Sequence, residues 1–173
     1  MSEWRVDGAE KDAQSITADW KRVAMRLIDG VSVHEIANVP KNDGHLTEIF
    51  RAEWFGGDVS IAQVFQVMLN PGAISAWHAH EKTLDRLFVS AGVARIVLYD
   101  NREDSPTRGE INEFRFGVIR PALVVVPPRV WHGTQNISDE RAIILNLVDH
   151  AYEYESPDHW RVPHDSAAIP FRF

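Results

Sequence analysis

Two histidines near the middle of the chain, His78 and His80, are two residues apart. In a β-strand this spacing places both side chains on one face, while Trp77 and Ala79 point to the other face. Two imidazoles that converge on one point can hold a metal ion, and either can act as a base. The spacing therefore predicts a polar pocket on one side of a strand.

The residues around this pair extend the pattern. The spacing Gly72-x5-His78-x-His80-x4-Asp85-x6-Gly92 resembles the first motif of the cupin superfamily, with aspartate in place of the usual glutamate. This resemblance implies a jelly-roll β-barrel with the histidines inside it.

A second run, Pro127-x-Arg129-x2-His132-x3-Asn136, resembles the second cupin motif in part. Pro121 and Arg129 replace the two glycines of that motif. In cupins the two motifs lie on neighbouring strands, so the resemblance implies that His132 joins the pocket of the first motif.

The two motifs together imply a metal site made of His78, His80, Asp85 and His132. The chain has no cysteine, so any metal must take histidine or carboxylate ligands. Three imidazoles and one carboxylate suit Fe(II), Mn(II), Ni(II) or Zn(II) and leave positions open for substrate or water. The alternative is that these histidines are hydrogen-bonded polar groups of a barrel pocket without an ion.

Three runs, residues 43–51, 100–109 and 126–133, carry a more specific resemblance. They resemble the R-G-x-F-x-E-x-F-R, D-x-R-x-x-S-P-T-x-G and I-P-x-G-x-A-H-G motifs of the dTDP-4-dehydrorhamnose 3,5-epimerase family. The likeness covers about residues 30–170. Members of that family are jelly-roll cupins and commonly homodimers, so the resemblance implies a homodimer here.

A 3,5-epimerase removes a proton next to a ketone and returns one on the opposite face, which requires a base and an acid. The resemblance implies that His78 is the base and that Asp165, near the C-terminus, orients it. The tyrosine that serves as the acid has no counterpart in residues 142–148, and Tyr152 and Tyr154 are the candidate replacements.

Several family positions differ in this chain. Two phosphate-binding arginines correspond to Ser75 and Asp43, which argues against nucleotide binding in the usual manner. A substrate-facing lysine corresponds to Asp85, and a glutamine corresponds to His80. Loss of a cation and gain of two potential ligands is the change expected if a metal ion supplies the positive charge.

Four further residues are candidates for substrate binding. By the family resemblance, Gln66 faces the pocket. Arg129 and Trp131 could rim its mouth, although core packing is the preferred role for Trp131 and for Trp77. Asn146, within an apolar strand, is either a satisfied buried amide or a hydrogen-bonding group of the pocket.

The composition limits the partners. The net charge is -7, with 18 basic and 25 acidic residues spread along the chain, so no basic stripe exists to bind nucleic acid. No apolar run approaches the ~20 residues of a membrane span, and the polar start lacks a signal-peptide core. A soluble, cytoplasmic protein with a small-molecule substrate is the expectation.

The secondary-structure pattern predicts an all-β fold with one N-terminal helix. Residues 15–28 have apolar side chains at helical spacing, so a helical extension is expected over residues 1–30. From residue 31 onward, short β-branched runs alternate with turns, which predicts a single cupin jelly-roll barrel over residues 31–173. The tail, which includes His150, His159 and His164, is expected to wrap over the barrel with these histidines solvated or capping.

These observations favour a metal-binding epimerase or isomerase that acts on a keto sugar or similar molecule, a sugar or nucleotide sugar being the expected partner. A metal-dependent oxygenase or lyase with another small substrate is one alternative. A non-catalytic carbohydrate-binding or sensing cupin is another, because the family's tyrosine and arginines are missing.

Overall fold

A computed structural model describes residues 4–21 and 23–173. It consists of twelve strands and one short 3-10 helix, Ala52–Phe55. The strands are β1 (Ser32–Glu35), β2 (Asn38–Lys41), β3 (Gly44–Thr47), β4 (Gln63–Leu69), β5 (Ile74–Ala79), β6 (Asp85–Ala91), β7 (Val93–Tyr99), β8 (Ile111–Gly117), β9 (Ala122–Val126), β10 (Trp131–Asn136), β11 (Ala142–Val148) and β12 (Trp160–Arg161).

The strands form two five-stranded antiparallel sheets and one small hairpin. The first sheet has the order β1-β9-β6-β11-β4, the second has the order β12-β5-β10-β7-β8, and β2 pairs with β3. Consecutive strands such as β5 and β6 lie in different sheets, so the chain crosses repeatedly between the layers. This arrangement confirms the predicted all-β jelly roll.

The apolar core fills the space between the two sheets at one end of the barrel. Alternate residues of β7, among them Ile96 and Leu98, meet Val124 and Ile144 from the opposite sheet. Each fully buried aliphatic side chain of this kind contributes roughly 1.5–3 kcal/mol to folding. Because Leu87 and Ile144 also line a cavity, the core forms the floor of that cavity.

The C-terminal tail covers the outer face of the second sheet. Trp77 is fully buried there, and the rings of Phe171 and Phe173 lie 6.0 Å and 5.0 Å from its ring. The prediction that the tail wraps over the barrel agrees with this packing, and so does the core role of Trp77.

The predicted N-terminal helix is absent from residues 15–21 and 23–28. Instead, the side chain of Asn112 accepts a hydrogen bond from the Ile28 N–H at 2.8 Å and donates one to the Arg26 carbonyl at 2.9 Å. These bonds fix the end of the segment in a non-helical form, with Ile28 buried in the core. The helix prediction was wrong because tertiary contacts override a local propensity. No helix in the described parts of the chain is long and apolar enough to span a membrane.

Candidate functional site

A cavity of about 380 Å³ opens between the two sheets. On the first sheet, β4 and β11 contribute every second residue to its wall, since side chains alternate between the two faces of a strand. The cavity-facing residues of these strands are Gln63, Phe65, Val67, Ile144, Asn146 and Val148. The tail residues 156–161 and part of the loop before them close one side.

The second sheet contributes the three histidines predicted from the cupin motifs. His78 and His132 face each other across the pairing of β5 with β10, and their ring centroids are 4.4 Å apart. His80 follows the end of β5 on the same face, 5.7 Å from His132 and 6.4 Å from His78. The two-residue spacing therefore brings the imidazoles together as predicted.

Asp85 approaches these histidines from the opposite sheet. Its side chain is 2% exposed, and Oδ2 lies 3.4 Å from Nε2 of His80 and 3.5 Å from Nε2 of His132. Asn146 donates a hydrogen bond from Nδ2 to Oδ1 of Asp85 at 2.6 Å and accepts the Arg86 N–H at 3.1 Å. Asn146 is thus both a satisfied buried amide and a wall of the pocket.

The hydrogen bonds of the two imidazoles define which nitrogen carries the proton. Nδ1 of His132 lies 3.1 Å from the Val130 carbonyl, and Nδ1 of His80 contacts the Asp158 carbonyl. A carbonyl only accepts, so each Nδ1 must be the donor, and in the neutral ring Nε2 then carries a lone pair. Burial lowers the pKa of His132, which favours the neutral ring.

Two Nε2 lone pairs therefore converge on one carboxylate. The ligand atoms of His80, Asp85 and His132 all lie within 4.8 Å of one another. Lone pairs and a carboxylate repel each other unless a cation or a proton lies between them. With both Nδ1–H groups bonded to backbone carbonyls, the arrangement has the outer hydrogen bonds typical of metal-binding histidines, and the residues fit a divalent transition metal.

His78 lies beside this three-residue cluster but is not part of it. The predicted set of four ligands is therefore reduced to three in this structure. Nδ1 of His78 is buried and has no hydrogen-bond partner among the described residues. Burial, followed by the neighbouring His132 and His159, lowers the pKa of His78 far below its usual value, so the ring is neutral.

His159 also faces the cavity, although the sequence pattern suggested a solvated or capping role in the tail. Its ring lies 4.9 Å from that of His80 and 5.4 Å from that of His78. Burial lowers the pKa of His159 to about 4, with Arg161 adding to the effect. The pairing of β12 with the edge of β5 places His159 at the cavity, and the residues around it carry no local pattern that predicts this pairing.

Asp158 fixes the loop between β5 and β6. Its carboxylate accepts hydrogen bonds from the N–H groups of Glu81, Lys82 and Thr83 and from the Thr83 hydroxyl, at 2.7 to 3.1 Å. Burial opposes ionisation of this carboxyl, but the four donors outweigh it and lower its pKa to about 2. Asp158 thereby holds the loop that joins His80 to Asp85.

The candidate acid residues differ in position. Tyr152 lines the cavity with its side chain half exposed, and its N–H donates to Oε1 of Gln63 at 2.9 Å. Tyr154 is 84% exposed and does not line the cavity, although its ring lies 5.3 Å from that of Tyr152.

Asp165 is exposed on the surface of the tail and does not line the cavity. The prediction that it orients His78 is wrong for this structure, since Nδ1 of His78 has no partner in the described chain. The reason is local: turns at Ser166 and Ile169 hold this part of the tail on the outer face.

Gln66 is also not in the cavity. It is exposed, and it lies between Phe65 and Val67, which both face the cavity. The alternation of β4 therefore directs Gln66 to the outer face, and Gln63 is the glutamine of this strand that lines the cavity.

Arg129 and Trp131 line a different cleft, together with residues 101–105. Trp131 precedes His132 on β10, so its side chain is directed away from the cavity. Arg129 has a φ of 66° and forms an ion pair with Glu81 at 3.6 Å. Neither residue lines the histidine pocket as suggested: Arg129 lies in the turn before β10, and Trp131 packs against the Trp77 cluster, which agrees with the core role preferred for it.

Comparisons with known proteins agree with this fold. The model of the family described as dTDP-4-dehydrorhamnose 3,5-epimerase matches residues 26–171. The chain is 34% identical over 142 residues to "Probable low-salt glycan biosynthesis epimerase Agl13" of Haloferax volcanii, covering 82% of this chain and 91% of that protein. It is also 34% identical over 152 residues to "Spore coat polysaccharide biosynthesis protein SpsL" of Bacillus subtilis, covering 85% and 97%.

Among solved structures, the crystal structure of a dTDP sugar isomerase from Desulfovibrio desulfuricans G20 superposes with a TM-score of 0.77. The two sequences are 26% identical, and the match covers 85% of this chain and 94% of the other. The similarity therefore extends over nearly the whole barrel.

Proposed function

Because the chain belongs to the dTDP-4-dehydrorhamnose 3,5-epimerase family, we propose that it is an epimerase or isomerase of a keto sugar whose pocket also binds a divalent transition metal. The observation that supports the metal is the Asp85 carboxylate between two imidazole Nε2 atoms at 3.4 Å and 3.5 Å. The names of the relatives support a sugar, and a 4-keto sugar is the substrate that we propose. Because Ser75 and Asp43 replace two phosphate-binding arginines of the family, a dTDP-linked sugar is the test probe and not the assigned substrate.

In this proposal His80, Asp85 and His132 hold the metal, which supplies positive charge that polarises a ketone oxygen when bound. That charge would replace the cation lost where the family lysine is Asp85. Asn146 contributes by holding Oδ1 of Asp85, so that Oδ2 is directed toward the histidines. The backbone carbonyls of Val130 and Asp158 keep both imidazoles in the tautomer that a ligand requires.

We assign the role of base to His78. Its ring is neutral and lines the cavity, so a ring nitrogen can accept a proton from the carbon next to the ketone. The electron pair of the broken C–H bond moves toward the ketone oxygen, giving an enolate. Because the surroundings disfavour the charged ring, the accepted proton must leave His78 within each turnover.

The enolate carbon must then receive a proton on its opposite face. Tyr152, which lines the cavity with its side chain half exposed, is the residue to which we assign that step. Tyr154 remains a candidate only if the loop brings it inward from its exposed position. We further propose that the chain acts as a homodimer, which light scattering in solution would test.

The metal is tested by elemental analysis of the purified protein beside its His80→Ala and Asp85→Ala variants. Stoichiometric metal in the native protein, lost in both variants, is the expected result. Gln66→Ala is the matched control, because Gln66 is on the outer face of the same barrel and should retain the metal. Native protein without metal after reconstitution with Fe(II), Mn(II), Ni(II) and Zn(II) would contradict the site.

The epimerase activity is tested separately, by proton exchange from a dTDP-4-keto-6-deoxyhexose in heavy water. Deuterium next to the ketone is expected with the native protein and is expected to be lost in His78→Gln. Oxygen consumption by the Fe(II)-loaded protein without deuterium exchange would instead favour the metal-dependent oxygenase, a reading that the same cluster also supports.

A further inference from the structure

The tail residues 158–161, here called the strap, form a wall of the pocket. Trp160 and Arg161 pair with Ala79 and His78 at the edge of β5. Immediately beyond the strap, Val162 exchanges two backbone hydrogen bonds with Trp77, at 3.0 Å and 3.2 Å. The strap is therefore attached to the strand that carries the predicted base.

The other end of the strap is fixed by Asp158. Its carboxylate takes four hydrogen bonds from residues 81–83, and its carbonyl contacts Nδ1 of His80. With both ends held, the backbone of His159 is fixed at the wall of the cavity.

In this position, Nε2 of His159 has no hydrogen-bond partner among the described residues. This atom is buried, while the ring is part of the cavity wall. An unsatisfied buried polar atom costs free energy, so His159 is stabilised if its ring turns Nε2 toward a hydrogen-bonding group that enters the cavity. His159 is also outside the cluster of His80, Asp85 and His132, so it is not needed as a metal ligand.

We infer that His159 is a substrate-contacting residue, with Nε2 hydrogen-bonded to a hydroxyl or carbonyl oxygen of the sugar, and that Asp158 is its positioning residue. This inference rests on the proposed function, since it takes the keto sugar as the ligand. It adds a substrate contact from the tail to a pocket whose metal cluster and proposed base come from β5, β6 and β10 and from the residue that follows β5.

The test compares His159→Phe with His159→Gln, using the dTDP-4-keto-6-deoxyhexose as the probe. Phenylalanine retains a ring of similar shape without nitrogen, whereas glutamine retains a hydrogen-bonding group. We expect kcat/KM for proton exchange to fall roughly tenfold or more in His159→Phe and to be partly restored in His159→Gln. Metal content and thermal stability should match the native protein in both.

The role of Asp158 is tested by Asp158→Asn alone and combined with His159→Phe. If Asp158 acts through His159, the asparagine substitution should lower kcat/KM much less in the His159→Phe background than alone. Equal losses in both backgrounds would show that Asp158 has only a structural effect and would overturn its positioning role.

The outcomes separate the inference from the proposed function. Native exchange activity with unchanged kcat/KM in His159→Phe would overturn the His159 contact while the epimerase stands. A native, metal-loaded protein that neither exchanges protons nor binds the sugar by calorimetry would overturn both. Loss of metal in His159→Phe would also overturn the inference, since it would make His159 part of the metal site.

Discussion

Two buried aspartates, Asp85 and Asp100, have opposite surroundings. Both side chains are almost fully buried, at 2% and 0% exposure. Asp100, directly after β7, accepts hydrogen bonds from the Arg102 guanidinium at 2.9 Å, the Ser105 hydroxyl at 2.5 Å and the Thr107 hydroxyl at 2.8 Å. Asp85 accepts one from Asn146 and otherwise faces two imidazole nitrogens.

The two aspartates differ in which group balances the negative charge of the carboxylate. Arg102 balances the charge of Asp100, and the surrounding donors lower its pKa although burial opposes this. Within residues 4–21 and 23–173, no lysine or arginine forms an ion pair with Asp85. A buried carboxylate without a cation is costly, so the proposed metal would supply to Asp85 the positive charge that Arg102 supplies to Asp100.

The largest expected effect is the loss of metal in Asp85→Ala. Removal of a ligand should weaken the affinity by more than about 100-fold, because even outer hydrogen bonds contribute 10- to 100-fold. Competition titration against a chelator of known affinity would measure it. Asp100→Ala is the matched control, since it removes an equally buried carboxylate and should retain native affinity. Equal losses in both variants would remove the distinction between the two aspartates.

The second prediction concerns stability, for which Asp100 should matter more than Asp85. Asp100→Ala should lower the free energy of unfolding of the metal-free protein by about 3 kcal/mol, because it leaves Arg102 and two hydroxyls without their acceptor. Asp85→Asn should change it little or raise it, since an unbalanced charge is removed. Urea denaturation would measure both, with the exposed Asp104→Ala as control. A larger loss in Asp85→Asn would contradict this assignment.

Much of the pocket follows from strand alternation and could be predicted from the sequence. The x-His-x-His spacing fixes a shared face for His78 and His80. The resemblance to the cupin motifs implied that His132, from a neighbouring strand, and Asp85, which lies on the opposite sheet, would meet them. Strand alternation also explains the outward positions of Trp77 and Trp131. The face of a side chain could be predicted wherever a motif fixed the position of the residue within a strand.

The failures concern residues whose positions depend on distant partners. The apolar periodicity of residues 15–28 could not reveal that Asn112 would bond their backbone. The side chain of Gln66 points to the outer face because the pairing of β4 with β11 sets the register of β4. His159 and Asp165 lie in a tail whose attachment to β5 has no local signal beyond a two-residue strand.

A smaller effect is expected from Asn146→Ala, which tests how strongly Asp85 depends on its orientation. Without the hydrogen bond to Oδ1, metal affinity should fall by roughly 10- to 100-fold, as expected for an outer-shell partner. Asn136→Ala is the control, because Asn136 is equally buried but bonds the Leu69 and Glu140 carbonyls away from the cluster. It should reduce stability without changing metal affinity, and an equal loss of affinity would contradict the role of Asn146.

The smallest effect is the pH dependence of stability that Asp100 contributes. Its folded pKa is lowered below the unfolded value of about 3.9, so the unfolded state takes up the proton first as the pH falls. The stabilisation is therefore fully present above about pH 5 and is lost as the pH decreases toward the lowered folded pKa. For one proton, the slope of the free energy of unfolding against pH cannot exceed about 1.4 kcal/mol per pH unit.

Urea denaturation of the metal-free protein from pH 6 to pH 3 measures this effect. Stability should decline less steeply for Asp100→Asn than for the native protein, whereas Asp104→Asn should follow the native curve. An Asp100→Asn curve parallel to the native one would mean that Asp100 has the same pKa folded and unfolded, and the contrast with Asp85 would then rest on hydrogen bonds alone.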